Sequence, residues 1–114
     1  MSIAKRIAAK RLEQERSIAE VEEWGEADEP LRLFFGPVTA RDIEKVQRKH
    51  PNFMSNPTMG SMVETIIAKC EDEAGDKAFT LEDKVILMGE PIGVIAKLFG
   101  RVFSANSVDD HEKN

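Results

Sequence analysis

From Met59 to Ala74 an apolar residue returns at every helical turn: Met59, Met62, Val63, Ile66, Ile67, Cys70 and Ala74. Spacings of three and four put all seven on one side of an α-helix. Just before them, Asn56 offers a side-chain cap and Pro57 a proline at the first helical position, where its missing N–H is not needed. A helix with one apolar face is marginal alone in water and needs other apolar faces against it.

The flanking segments supply those faces. In GPVTARDIEKVQRKH, residues 36–50, Thr39 can cap a helix, Asp42 stands three residues on, and Val38 and Ile43 occupy the staple positions. Pro51 stops that helix. Thr80 and Asp83 repeat the pattern and open a short helix through Val85 to Met88, which Gly89 and Pro91 end. A last helix sets Ile92, Ile95, Ala96, Phe99, Val102 and Phe103 on one face. Upstream, SIAEVEEW (17–24) alternates apolar and polar, LRLFF (31–35) is dense in branched and aromatic residues, and GEADEP between them carries Gly25 and Pro30. Two strands about a turn make a β-hairpin, and a lone hairpin must lie against something. The first residues, with Ile3, Ala4, Ile7, Ala8 and Leu12, fit a short helix with a thin stripe.

The expected fold is α+β, mainly α: a short N-terminal β-hairpin followed by about four helices. The expected organisation is a basic arm over 1–16, one globular domain over 17–104 and a flexible tail over 105–114. Val38, Ile43, Val46, Val63, Ile66, Ile67, Val85, Ile95, Phe99 and Val102 are the expected core, and residues 1–14 are expected to be mobile.

A length of 114 residues suits one domain, with 41% apolar and 32% charged residues and a net charge of −5. The charge comes in blocks. Residues 1–16 carry Lys5, Arg6, Lys10, Arg11 and Arg16 against Glu13 and Glu15, whereas 17–30 hold six acidic residues and no base. Alternating blocks fit charged protein surfaces or a homo-oligomer better than a nucleic-acid groove, which would ask for a strongly basic domain. No apolar run is long enough to span a bilayer, and the basic N-terminus lacks the apolar stretch of an export signal. A single cysteine allows no internal disulfide, and a reducing cytoplasm is expected.

Little chemistry is on offer. The acidic stretch CEDEAGDKAFTLED, 70–83, fails as a calcium loop: counted from Asp72, position 3 is Ala74, position 6 is Lys77 and position 12 is Asp83. It reads instead as a connection between helices, with Gly75 in the left-handed conformation just past a helix end and Thr80 capping the next helix. Cys70 lies on an apolar stripe, His50 ends a helix and His111 is in the tail. No phosphate loop is present. No catalytic residue, metal site or cofactor is expected.

Taken together, several pieces resemble one family. VEEWG (21–25) and LRLFFGPVTARD (31–42) are similar to the opening of the tail assembly chaperones of long-tailed bacteriophages, where a Pro-Glu-Trp-Gly-type stretch precedes a strand and a capped helix. CEDEAGDKAFTLED, LMGEP (87–91) and IAKLFGRVF (95–103) resemble that family's later pattern. Order and spacing carry the likeness, over roughly residues 20 to 106. Glu22 stands where the family has proline, and the segment from Phe79 to Gly89 is one residue longer than its usual form.

The resemblance implies a non-enzymatic assembly factor. It would bind the long, largely helical tape measure protein, keep it soluble and promote polymerisation of tail tube protein around it. It would work in the host cell cytoplasm and be absent from the mature virion. A frameshifted longer form, where one exists, recruits the tube protein. For the partner-binding residues the expectation is Trp24, Phe53, Met54 and Met88, since none completes a helical stripe. Trp24 is the strongest choice, and packing of the hairpin onto the helices is its competing role. The alternatives are a tail-completion or head-joining protein, or a small nucleic-acid-binding regulator using the basic arm at 5–16 and the basic helix with Arg41, Lys45, Arg48 and Lys49.

Overall fold

The computed structural model describes residues 2–104; the expected tail at 105–114 lies outside them. Along these residues run α1 (Ile3–Glu13), β1 (Ser17–Glu26), β2 (Glu29–Phe35), α2 (Ala40–Lys49), α3 (Met59–Lys69), α4 (Lys84–Met88) and α5 (Ile92–Phe103), with a 3-10 turn over Leu81–Asp83 before α4. The fold is α+β and mainly α, a hairpin followed by helices.

β1 and β2 pair antiparallel from Ser17 opposite Phe35 to Val21 opposite Leu31. Alternation turns Ala19, Val21, Leu33 and Phe35 inward. Beyond Val21 the register slips before closing at Glu26 opposite Glu29, so β1 bulges against Pro30, which has no N–H to give the ladder. Gly25 sits in the bulge because a Cβ there would run into the Glu29 carbonyl. The turn itself is Ala27–Asp28, with Ala27 at φ 53°.

Helix starts follow their local chemistry. Thr39 accepts from the Asp42 N–H and Asp42 accepts from the Thr39 N–H, so the capping box is complete. The cap of α3 is Thr58, whose hydroxyl accepts from Ser61 N–H, two residues later than Asn56. Asp83 accepts from Thr80 N–H, but what it opens is the 3-10 turn.

The core joins the inner hairpin face to Val63, Ile66 and Ile67 of α3, to Leu87, and to Ile95, Leu98 and Val102 of α5. Four expectations are corrected here. Val85 is 81% exposed, because a tight 3-10 turn precedes α4 and the resulting helical phase points Leu87 inward instead. Val38, Ile43 and Phe99 are half-buried. The buried stripe of α5 is Ile95, Leu98 and Val102, while Ile92 and Ala96 face out. Finally, α3 stops at Lys69, so Cys70 is its C-cap and Ala74 is exposed in a turn.

The early stop has a long-range cause. Glu71 exchanges two backbone hydrogen bonds with Phe34, at 2.9 and 2.7 Å, and so lies along the outer edge of β2. Arg16 stacks over the Phe34 ring, pairs with Glu71 at 3.0 Å and donates to the carbonyls of Asp72 and Glu73. Gly75, at φ 98°, serves the 72–76 turn rather than the helix end. The acidic stretch is therefore a clamped turn that extends the hairpin by one short pairing. In α1 no residue is buried.

Candidate functional site

Four apolar residues in a row, Val85 to Met88, cannot all face inward from a helix of one and a half turns. Leu87 takes the core side at 3% exposure, and its neighbours are left in solvent. Val85 and Met88, three apart, share one side of α4, with Ile86 beside them, Leu81 in the 3-10 turn before them and Ile92 at the start of α5. Among the described residues these are five of the ten large apolar side chains left exposed, gathered within twelve positions, and soluble domains rarely expose apolar side chains so densely.

The surface is held from beneath. Lys84 donates to Glu64 Oε2 of α3 at 2.6 Å, and His50 Nε2 lies 3.3 Å from the same oxygen without hydrogen-bond geometry. Burial raises the Glu64 pKa, but the Lys84 hydrogen bond, the neighbouring His50 imidazole and the Lys84 charge outweigh it and hold the carboxyl below its ordinary value. α2 is fixed by Lys69, which donates to Asp42 at 2.8 Å and to the Pro37 carbonyl at 3.0 Å. Asp42 is likewise held low: burial opposes ionisation, and Lys69 with the Thr39 N–H overcomes it.

Leu81 also forms one wall of a groove of about 460 Å³ between α2, α3 and the stretch before the 3-10 turn. Its apolar lining is Val46, Ile67, Ala68, Phe79 and Leu81, and its charged lining is Lys45, Lys49 and Lys77 with Asp42 and Glu64. Groove and α4 stripe thus meet at Leu81.

The four expected binding residues separate. Phe53 is a core residue, 2% exposed, edge-on to Phe99 and Phe103 at 6.0 and 5.9 Å. The loop before α3 folds back on the end of α5, a contact invisible in sequence periodicity, so Phe53 is not available to a partner. Trp24 is half-buried, donates from Nε1 to Glu90 Oε1 at 2.6 Å and meets Phe79 edge-on at 6.2 Å. It therefore packs the hairpin tip against the α4–α5 link, close in sequence to Met88. Met88 is exposed within the stripe. Met54 is exposed on a separate groove with Val38, Ile43 and Phe103. Leu81, Val85, Ile86 and Ile92 were missed as surface. Their signal was composition: an all-apolar turn too short to bury every side.

Cys70 is fully buried, and burial, with Glu71 beside it, pushes its thiol up to about 12, far from a nucleophile's range. Among the described residues no cluster of three metal-ligating side chains occurs, and no helix is long and apolar enough to cross a membrane. No protein-family model, curated protein or solved structure matches the chain.

Proposed function

We propose that this chain is a tail assembly chaperone of a long-tailed bacteriophage, one that binds helical segments of the tape measure protein, keeps that protein soluble and promotes tail tube assembly around it. The surface we assign to the client is the α4 stripe, Leu81, Val85, Ile86, Met88 and Ile92, with the groove that adjoins it at Leu81. The observation that carries this reading is the exposure of that stripe on a helix pinned from below by Leu87 and Lys84. An amphipathic client helix would lay its apolar face there, and Lys45, Lys49 and Lys77, left over once Asp42 pairs with Lys69 and Glu64 with Lys84, would favour acidic flanks. Support for the identity of the client comes from the ordered segments VEEWG, LRLFFGPVTARD, CEDEAGDKAFTLED and IAKLFGRVF.

Co-expression tests it. The tape measure protein of the same phage should be soluble and co-purify with the wild-type chain and aggregate alone. Val85→Ser with Met88→Ser should abolish protection while the melting temperature stays near wild type. Protection by the double variant would remove the α4 stripe from the reading, and no protection by the wild type would remove the chaperone reading itself.

A further inference from the structure

Eleven residues make α1, and none of them is buried. Ser2 caps it, and Lys10 and Arg11 suit its last turn. Even alanine-rich helices under about 12–15 residues are marginal in water, so α1 needs a surface to lie on. Ile3 and Ile7 share one side of it, with Arg6 and Lys10 along one flank and Arg11 along the other. Both isoleucines are exposed. Among the described residues Lys5, Arg6, Lys10 and Arg11 enter no ion pair. The root of the arm is held, since Arg16 stacks over Phe34 and binds Glu71. α1 therefore leaves the hairpin from its Ser17–Phe35 end, away from the turn.

At the turn end the charge is opposite and equally unmet. The last ladder pair sets Glu26 opposite Glu29, and like charges facing each other across a ladder are destabilising. Asp28 lies in the turn between them. Glu22, Asp28 and Glu29 surround a hollow of about 290 Å³ whose apolar lining is Ala27 and Pro30. Among the described residues Glu22, Glu23, Glu26, Asp28 and Glu29 enter no ion pair. The neighbouring bases do not cancel them. Arg32 stands 3.9 Å from Glu20, and Arg101 donates to the Ile18 carbonyl and lies over the Phe35 ring. Lys97 lines the groove between β1 and α5 with Glu22 and Glu23, while Glu90, bonded to Trp24, adds another carboxylate. Even with Lys97 and Arg101 both counted, six carboxylates stand against two bases.

We propose that the chain forms a two-fold dimer in which α1 of each copy lies on the hairpin tip of the other. Ile3 and Ile7 cover the hollow at Ala27 and Pro30, and Arg6, Lys10 and Arg11 meet Glu22, Glu26, Asp28 and Glu29. The occupant is a second copy because the two unmet charges are complementary and sit at opposite ends of one hairpin. Two hairpins side by side and antiparallel bring each arm to the other's tip, so both contacts form at once and the assembly closes. Within one chain the ten residues of β1 carry the tip roughly 30 Å from the root of the arm. The dimer uses neither the α4 stripe nor the chaperone reading.

The test is sedimentation equilibrium of the full chain. Wild type should be a dimer at low salt and weaken at high salt, since exposed pairs are screened. An arm variant carries Arg6→Glu, Lys10→Glu and Arg11→Glu; a tip variant carries Glu26→Lys, Asp28→Lys and Glu29→Lys. All six positions are exposed, so the melting temperature of each variant should stay near wild type. Alone, each should raise the dimer dissociation constant by about tenfold or more, because like charges then meet in both contacts. Mixed, they should dimerise again, because each arm now finds a tip of opposite sign. That restoration separates a broken contact from an α1 that has merely unravelled. A monomeric wild type, variants that dimerise as tightly as wild type, or a mixture no tighter than either variant alone would each overturn the proposal. So would a monomeric wild type that binds anionic vesicles or duplex DNA through Arg6, Lys10 and Arg11, which would give α1 to a membrane or to nucleic acid.

Discussion

Val85→Ala and Leu87→Ala remove apolar atoms from the same five-residue helix, two positions apart, yet their costs should differ severalfold. Leu87 is 3% exposed and joins the core cluster, so its truncation loses burial and leaves a cavity, about 2–5 kcal/mol. Val85 is 81% exposed, so about a fifth of its side chain is withdrawn from water, and at ~1.5–3 kcal/mol for full burial the loss is about 0.5 kcal/mol or less. Alanine's better helix propensity offsets part of that. For a domain of this size 1 kcal/mol moves the melting temperature by roughly 4–8 °C. Thermal unfolding followed by far-ultraviolet circular dichroism should therefore show a drop of about 8 °C or more for Leu87→Ala and under about 4 °C for Val85→Ala. Equal drops, or the larger one for Val85→Ala, would mean that α4 is rotated and that the exposed stripe does not exist.

Phe53→Ala should destabilise by about 3–5 kcal/mol, read as a lowered urea midpoint, whereas Met54→Ala beside it should change the midpoint little; the reverse would return Phe53 to the surface. Trp24→Phe keeps a ring against Phe79 but loses the donor to Glu90, and should cost about 1–2 kcal/mol in the same assay; no cost would mean that the hydrogen bond is not made in solution. Stability should also fall in acid. Asp42 and Glu64 have folded-state pKa values below their ordinary 3.8 and 4.5, so the unfolded chain takes up these protons first as pH drops. Their contribution is present above the ordinary values and lost below about pH 4.5, as pH falls toward the folded ones. Asp42→Asn should flatten that decline, and an unchanged slope of urea midpoint against pH would count against the Lys69 pair.

What sequence reading recovered was governed by short range. Thr39 and Asp42 cap α2 because the two residues satisfy each other three positions apart. Gly25 and Pro30 marked the hairpin because each has a backbone requirement of its own. The end of α3 was not legible, since Cys70 and Ala74 keep perfect helical spacing and only pairing with Phe34, far away in sequence, pulls Glu71 out of the helix. The same holds for Phe53, which has no periodicity and is buried by two rings of α5. In α4 the expected inward residue, Val85, was wrong in phase, whereas in α5 Ile95 and Val102 were placed correctly. The 3-10 turn rotates α4, and Leu98 rather than Ala96 completes the inner face of α5. Of the binding residues expected from sequence, Met54 and Met88 are exposed, and only Met88 lies on the stripe.

The most direct test of the proposed client surface is hydrogen–deuterium exchange on the wild-type chain, free and bound to its tape measure protein. Binding along the α4 stripe should slow backbone exchange in the peptides spanning residues 79–93 and leave those of α1 unchanged. Protection confined to α1, or to the loop around Met54, with residues 79–93 exchanging as fast as in the free chain, would contradict it.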